Sequence, residues 1–343
     1  MKALVLDAPS HFLFKEVPKP AVQSPRDVLI RVKAVSICGS DVHGMDGSTG
    51  RRIPPIIMGH EASGVIEEIG KGVRHFAVGD RVTFDSTIYC GECFHCRKGE
   101  VNLCDNRRVL GVSCGEYKQD GACAEYVVVP DHILYKLPET LDFVSAALTE
   151  PLAVAAHGVK IAAIEPGASM VVVGTGLIGL LLLRILRIHG SGTLIAVDVD
   201  PGRLEIARRF GADYTVLGGI SAAKQVRSLT HGRGADYGFE AVGAGPSFQS
   251  AIQSIRKGGI LTLVGNISPS VDLPLQAVVT GQLTLRGSCA IAGEYPLALD
   301  LMASKKVDVR ALIGAVAPLS EGDTWFHRLY NREPGLLKVV LEP

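Results

Sequence analysis

The most constraining feature of this sequence is a glycine pattern that follows a short apolar run. Gly174-Thr-Gly-Leu-Ile-Gly179 comes directly after Met170–Val173 and precedes a segment of helical length that ends at His189. In a strand–turn–helix unit, the first glycine forms the tight turn, the second lets a pyrophosphate approach the backbone, and the third lets helix and strand pack closely. Free N–H groups at the helix start then face the anion. The pattern therefore predicts a dinucleotide-binding Rossmann unit.

An acidic residue further along the chain strengthens this prediction. Asp198 ends the next apolar run, 22 residues after Gly176, where a carboxylate accepts hydrogen bonds from the adenosine ribose and repels a 2′-phosphate. NAD is therefore favoured over NADP, although Arg203 offers a cation able to hold the phosphate instead. The alternative is a glycine-rich turn beside a surface aspartate. The predicted cofactor-binding residues are Gly174, Gly176, Leu177, Ile178, Gly179, Asp198 and Arg203.

The pattern of apolar segments changes along the chain. From Pro166 onward, apolar runs without polar alternation are separated by helical segments, which is typical of a parallel sheet buried on both faces. Before about Gly121 the segments are short, β-like and separated by Gly and Pro, as in an antiparallel barrel or sandwich. We therefore predict an α/β chain that combines an antiparallel β-barrel-like domain with a doubly wound Rossmann domain. The predicted ranges are 1–150 for the first part of the barrel-like domain, 151–289 for the Rossmann domain and 290–343 for the return to the first domain.

Composition excludes some classes of partner. Lys+Arg and Asp+Glu number 35 each in 343 residues, so no net charge would draw the chain to nucleic acid or to an anionic membrane. The 47% hydrophobic and 20% charged residues are typical of an ordered globular protein. The most apolar run, Ser169 to Leu183, is too short and too rich in glycine for the ~20 residues of a membrane span. We expect a cytoplasmic protein without a nucleic-acid or membrane partner.

Half of the eight cysteines lie close together in the sequence. Their pattern is Cys90-x2-Cys93-x2-Cys96-x7-Cys104. Four thiolates at such spacings wrap one ion tetrahedrally, which is the arrangement of a structural zinc without an open coordination position. An iron–sulfur cluster and a pair of disulfides are the alternatives. Cytosolic disulfides are rare, and no further cysteine cluster points to electron transfer, so structural zinc is favoured.

A second group of candidate ligands is more dispersed. Cys38 lies in the run Ile37-Cys-Gly-Ser-Asp-Val-His43, and His60 is followed directly by Glu61. A thiolate, an imidazole and a carboxylate with one position left to water or substrate would make a catalytic zinc. From spacing alone, the alternative is a buried, inert cysteine and histidine.

Taken in order along the chain, these four motifs resemble the zinc-dependent medium-chain alcohol dehydrogenase family, and the resemblance covers nearly the whole sequence. The sorbitol (polyol) and sugar-acid dehydrogenase branch is the most similar, with threonine dehydrogenases as near relatives. The resemblance implies that Cys38 and His60 bind the catalytic zinc. It also implies that Glu61 is a direct ligand and that Glu150 reaches the metal directly or through water. Ethanol-type members carry a cysteine where this chain has Glu150, which argues against simple alcohols as substrates.

The resemblance also assigns roles outside the metal ligands. Ser40 would begin a proton relay, in which His43 passes the proton to solvent. Asp198 and Arg203 would bind the adenosine of NAD. Lys338 is similar to a basic residue near the cofactor phosphates. The bland alternatives are a solvated loop for the relay pair and a surface lysine for Lys338.

The activity implied by the resemblance is hydride transfer. The expected enzyme oxidises a secondary hydroxyl of a polyol or sugar acid to the ketone, with NAD and two zinc ions per chain. Catalysis would depend on Cys38, His60, Ser40 and His43, in a homo-oligomer that is a tetramer or a dimer. An L-threonine 3-dehydrogenase is the alternative within the enzyme class. A nucleotide-binding protein that has lost catalysis is the alternative from another class.

Overall fold

The computed structural model describes residues 1–114 and 117–343, which form twenty β-strands and eleven α-helices. The strands are β1 (Lys2–Ala8), β2 (His11–Glu16), β3 (Asp27–Ser36), β4 (Ile56–Ile57), β5 (Glu61–Ile69), β6 (Arg81–Phe84), β7 (Thr87–Ile88), β8 (Arg108–Val109), β9 (Val112–Cys114), β10 (Tyr117–Gln119), β11 (Tyr126–Pro130), β12 (Leu134–Lys136), β13 (Met170–Val173), β14 (Leu194–Asp198), β15 (Tyr214–Leu217), β16 (Ala235–Glu240), β17 (Ile255–Leu263), β18 (Thr284–Gly287), β19 (Ala315–Pro318) and β20 (Val339–Glu342). The helices are α1 (Gly39–Gly44), α2 (Phe94–Arg97), α3 (Phe143–Ala146), α4 (Thr149–Ala162), α5 (Leu177–His189), α6 (Pro201–Arg209), α7 (Ala222–Leu229), α8 (Gly245–Ser254), α9 (Leu275–Gly281), α10 (Tyr295–Ala303) and α11 (Gly322–Tyr330). The chain divides into two units, one of Met1–Ala153 with Ile291–Pro343 and the other of Val154–Ala290.

The first unit is built on a seven-stranded sheet with β3 at its centre. The strand order is β12-β6-β5-β3-β20-β19, and β11 pairs with β3 on the same edge as β20. Every pairing in this sheet is antiparallel except that of β19 with β20. A smaller sheet of β2, β1 and β4 packs its apolar residues into the same core. The predicted antiparallel, β-rich domain is confirmed.

Strand ends bring distant parts of the first unit together. Ser36, the last residue of β3, is paired with Glu61, the first residue of β5, and with Val340 of β20. Cys38 therefore follows β3, and His60 precedes β5, at the same end of the sheet. Lys338 enters this region from the residue before β20. Backbone pairing alone thus brings Cys38, His60 and Lys338, which are distant in sequence, to the same end of the sheet.

The second unit has a six-stranded parallel sheet in the order β15-β14-β13-β16-β17-β18. Numbered within the unit, this order is 3-2-1-4-5-6, which is the doubly wound Rossmann arrangement. All residues of β13 and β14 are buried, as their unbroken apolar sequences predict. The predicted Rossmann sheet is confirmed.

The turn after β13 requires glycine at two positions. Gly174 has φ +92, a left-handed conformation that other residues adopt only with strain. A Cβ atom on Gly179 would lie 1.8 Å from the carbonyl oxygen of Gly174, so helix α5 can approach the turn only without a side chain there. The first and third glycines of the pattern therefore have the steric roles that the sequence predicts, in the tight turn and in the close packing of helix and strand.

No helix in residues 1–114 and 117–343 combines the length and the hydropathy needed to cross a bilayer.

Candidate metal centres and nucleotide-binding turn

The four clustered cysteines converge on one point. Cys90, Cys93, Cys96 and Cys104 place their sulfur atoms within 4.8 Å of one another. The Cys90 sulfur lies 4.0 Å from that of Cys96 and 3.6 Å from that of Cys104. A tetrahedral zinc with Zn–S bonds of about 2.3 Å separates its sulfurs by about 3.8 Å. The geometry therefore fits one zinc ion held by four thiolates.

Local electrostatics divides the four thiols into two kinds. N–H groups of Glu92 and Cys93 lower the pKa of Cys90 to about 6, and backbone N–H groups also lower the pKa of Cys93. Loss of hydration raises the pKa of Cys96 to about 12 and raises the pKa of Cys104. Cys90 and Cys93 therefore ionise more readily than a free thiol, whereas a bound cation would favour the ionisation of Cys96 and Cys104.

The second candidate centre combines Cys38, His60 and Glu61, whose donor atoms lie within 4.8 Å of one another. Cys38 is the N-cap of α1 and accepts from the backbone N–H of Ser40 at 3.4 Å. Loss of hydration, and then the charge of Glu61, raise the pKa of Cys38 to about 12. Without a cation, this thiol therefore stays protonated, whereas a divalent metal would stabilise the thiolate.

The carboxylate of Glu61 accepts hydrogen bonds from two buried side chains. Its Oε2 accepts from the Ser36 hydroxyl and from the Lys338 ammonium, and Lys338 also donates to the Ile37 carbonyl at 2.8 Å. Lys338 is buried, with 2% of its side chain exposed. The alternative of a surface lysine is therefore wrong, whereas the likeness of Lys338 to a residue near the cofactor phosphates stays a prediction.

His60 also has a carboxylate behind it. Its Nδ1 lies 3.4 Å from Asp41 Oδ2, and both buried atoms lack a hydrogen-bond partner. Metal-binding histidines usually donate their second ring N–H to such a carboxylate. A metal on the other ring nitrogen would leave the proton on Nδ1, and both unpaired atoms would then be satisfied. This pair of orphan atoms, with the thiol and the carboxylate beside it, shows that the residues fit a zinc ion.

Glu150 lies outside the group of mutually close donor atoms among the described residues. It is in the first turn of α4, is buried, and accepts from the Ser86 hydroxyl at 3.3 Å. Burial, followed by the charge of Glu61, raises the pKa of Glu150 well above its ordinary value. Glu61 is therefore one of the three mutually close donors, and Glu150 is a buried carboxyl whose pKa responds to the charge of Glu61.

The two relay candidates lie on α1, one turn apart. The hydroxyl of Ser40 is exposed and lies 3.2 Å from the sulfur of Cys38. His43 is half-buried, and loss of hydration followed by the charge of Arg332 lowers its pKa. Residues three apart on a helix share one face, so the helix aligns the hydroxyl and the imidazole.

In the second unit, Asp198 is buried at the end of β14. Its carboxylate accepts from the Thr175 backbone N–H at 2.6 Å and from the Asp200 backbone N–H at 2.9 Å. It therefore ties the glycine-rich turn to the next strand. Arg203, in α6, lies 3.7 Å from the carboxylate of Asp200. Leu177 and Ile178 begin α5, whose N-cap, Gly176, leaves the first N–H groups without a side-chain cap.

Several residues around the second centre were not assigned a role from the sequence. They are Ser36, Asp41, Arg52 and Ser86. Asp41 lies within the Cys38 to His43 run, between the two proposed relay residues. That position was the sequence feature that could have indicated a role for Asp41. The others are separated from their partners by 11 to 64 residues, and no local pattern marks them.

Two family descriptions match the chain. Residues 24–139 match the alcohol dehydrogenase GroES-like domain, and residues 178–304 match the zinc-binding dehydrogenase family. The two matches cover the two candidate metal centres of the first unit and most of the Rossmann unit, respectively.

Individual proteins are similar over nearly the full length. D-xylulose reductase A of Aspergillus oryzae is 37% identical over 95% of this chain and 93% of its own. A zinc-binding dehydrogenase of Sinorhizobium meliloti, solved with bound NADP, superimposes with a TM-score of 0.88 at 31% identity, covering 100% of this chain and 99% of the other. Galactitol-1-phosphate dehydrogenase of Escherichia coli superimposes with a TM-score of 0.92 at 25% identity, covering 100% of both chains.

Proposed function

This chain belongs to the zinc-dependent medium-chain dehydrogenase family, whose members are oxidoreductases acting on CH–OH groups, and from that premise we propose that it oxidises a secondary hydroxyl of a polyol or sugar acid to the ketone with NAD. The observation that carries the proposal is the grouping of Cys38, His60 and Glu61 with buried Glu150 beside them. A zinc held there with one coordination position open would bind a substrate hydroxyl. D-xylulose, named for the Aspergillus relative, is a ketose whose reduction gives a polyol.

Zinc would be held in the second centre by Cys38, His60 and Glu61, and it would supply a Lewis acid that lowers the pKa of an alcohol. NAD supplies the hydride acceptor. Ser40 would accept the hydroxyl proton, since its Oγ lies beside Cys38, and His43 would pass that proton towards solvent. Both roles follow from the shared face of α1. The four-cysteine site, with no position left for substrate, would hold a second, structural zinc.

The preference for NAD is supported by Asp198. Its carboxylate lies where a ribose 2′-hydroxyl can donate and where a 2′-phosphate would be repelled. The Sinorhizobium structure contains NADP, so family membership alone does not select NAD. The proposal of NAD therefore rests on Asp198.

We also propose a cytoplasmic homo-oligomer, either a dimer or a tetramer. Strand β18 is an edge of the parallel sheet, and nearby apolar side chains of Leu275 and Val279 are more than half exposed. Such surfaces are typical of contacts between subunits. The four-thiol site needs reduced cysteines, which supports a reducing compartment. Light scattering after size-exclusion chromatography measures the oligomeric state.

The proposed function is tested by an NAD-reduction assay with zinc content determined on the same preparation. The panel contains hexitols, pentitols, aldonates, L-threonine and simple alcohols. We expect turnover on one polyhydroxylated class and about two zinc ions per chain. Turnover on L-threonine alone would contradict the polyol or sugar-acid substrate and favour an L-threonine dehydrogenase. A protein with one zinc that binds NAD but oxidises nothing would contradict the enzyme proposal.

The proton relay gives a pH-dependent prediction. His43 must be neutral to accept a proton, and burial and Arg332 lower its pKa, whereas Asp46 raises it. Arg332→Gln removes a cation, so the pKa of His43 rises and the acid limb of the kcat–pH profile moves to higher pH. Asp46→Asn has the opposite effect. Steady-state kinetics across pH measures both shifts, with exposed Arg310→Gln as the control. Shifts in the same direction for both variants would rule out His43 as the group that titrates.

A further inference from the structure

Arg52 is a buried arginine beside the candidate catalytic centre, with 4% of its side chain exposed. Its Nε and Nη2 both donate to Asp41 Oδ1, at 2.8 and 2.6 Å. Nη2 also donates to the Ser40 hydroxyl at 3.2 Å, and Nη1 donates to the Arg51 carbonyl at 3.1 Å. Burial of a charge is costly unless it is paired and hydrogen-bonded, and Arg52 meets both conditions.

The guanidinium binds Asp41 asymmetrically. Both of its donors converge on Oδ1, whereas Oδ2 is buried, receives no donor and lies 3.4 Å from His60 Nδ1. The Arg52 fork therefore fixes the plane of the carboxylate and leaves one acceptor, aimed at one ring nitrogen. A carboxylate in this position selects the histidine tautomer and sets the orientation of the ring.

The same guanidinium reaches the proton relay. The Ser40 oxygen accepts from Arg52 at 3.2 Å and is 3.2 Å from the sulfur of Cys38. Because one lone pair of the hydroxyl is occupied by Arg52, the hydroxyl hydrogen is directed away from the guanidinium. Arg52 thus contacts Asp41, which lies beside His60, and Ser40, which lies beside Cys38.

The helix also has space for this arginine. A Cβ atom on Gly44, the last residue of α1, would lie 2.8 Å from Arg52 Cγ. The aliphatic part of Arg52 therefore crosses α1 where the helix has no side chain. This contact gives a second way to displace the guanidinium without changing its charge.

We propose that Arg52 is a positioning residue of the catalytic metal centre, which orients His60 through Asp41 and holds the Ser40 hydroxyl beside Cys38. The inference rests on the metal site of the proposed function and adds a residue that sets its affinity. Removing an outer partner of a metal-binding histidine typically weakens metal binding by about 10- to 100-fold. We expect a loss of that size at this centre when Arg52 is replaced.

The test compares zinc affinity in four variants of the full chain with that of the wild type. Arg52→Met removes the fork, Arg52→Lys keeps the charge without the planar fork, and Gly44→Ala pushes the side chain aside. Arg51→Met, which changes the exposed neighbouring arginine, is the matched control. Competition with a chromophoric chelator gives the zinc affinity of the weaker site, and the four-cysteine zinc is the internal reference. The visible spectrum of the cobalt-substituted centre reports ligand geometry independently of activity.

We expect the zinc affinity to fall about 10- to 100-fold in Arg52→Met, with smaller losses in Arg52→Lys and Gly44→Ala, and an unchanged value in Arg51→Met. An altered cobalt spectrum should accompany each loss. A wild-type affinity and spectrum in Arg52→Met would overturn the proposal. If Arg52→Met does not fold, wild-type values in the other two variants would overturn it equally. A wild-type protein that binds two zinc ions but oxidises no polyol would contradict the proposed function and leave these comparisons valid.

Discussion

Cys38→Ser should reduce turnover by more than about 100-fold and remove one of the two zinc ions per chain. Substitutions behind a metal ligand already cost about 10- to 100-fold, and loss of a ligand itself should cost more. A serine hydroxyl does not ionise near neutral pH and is a harder donor than a thiolate, so it cannot replace the Cys38 sulfur. The measurement is zinc content and NAD-reduction rate on the same sample.

The matched control is Cys123→Ala. Cys123 is also a buried cysteine of the first unit, but it is outside both groups of candidate ligands in the described residues. This variant should keep both zinc ions and near-normal turnover. Cys38→Ser with two zinc ions and full activity would exclude Cys38 as a ligand. Loss of both zinc ions would instead indicate unfolding of the unit, which circular dichroism would detect.

Features of the structure that depend on neighbouring residues could be predicted from the sequence. Strand β13 has the bounds of the apolar run Met170–Val173, and α5 ends at His189, as predicted. The glycine turn between them is determined by sterics within six residues. Helix α6 begins at Pro201, where the Asp200 side chain caps it by accepting from the N–H groups of Gly202 and Arg203.

Features that depend on strand pairing could not be predicted. Lys338 contacts Glu61 across 277 residues, because β20 lies against β3 in the sheet. The alternative of a surface lysine was wrong for this reason, since a short motif does not show whether a side chain is buried. Arg52 has no sequence pattern around it, and its role depends on the position of α1. The ligands themselves were predictable as residue types, and their catalytic roles stay predictions.

The same distinction applies to Asp198, whose local position was predictable and whose full set of partners was not. Its carboxylate accepts from the Thr175 hydroxyl at 3.0 Å and from two backbone N–H groups, in addition to the contact with the ribose that we propose. Replacement by alanine would leave buried donors unsatisfied and damage the turn itself. Asparagine is therefore the sharper substitution, because it removes the charge and keeps an acceptor.

Asp198→Asn should lower the preference for NAD over NADP by about 100-fold in the ratio of kcat/KM values. Placing two like charges side by side costs several kcal/mol, and 1.4 kcal/mol corresponds to a factor of ten, so loss of the carboxylate charge mainly favours NADP. Arg203 would then attract the 2′-phosphate without the opposing charge of Asp198. Steady-state kinetics with both cofactors, at a saturating concentration of the best polyol, gives the ratio.

Asp213→Asn is the control for a simple change of charge in the same unit, since this half-exposed aspartate pairs with Arg187. Its cofactor preference should equal that of the wild type. A double variant, Asp198→Asn with Arg203→Gln, separates the two contributions, because NADP should lose the gain that depends on the arginine. A wild-type protein that prefers NADP, or an Asp198→Asn variant with an unchanged ratio, would show that the buried carboxylate serves the turn through Thr175 and Asp200 and does not select the cofactor.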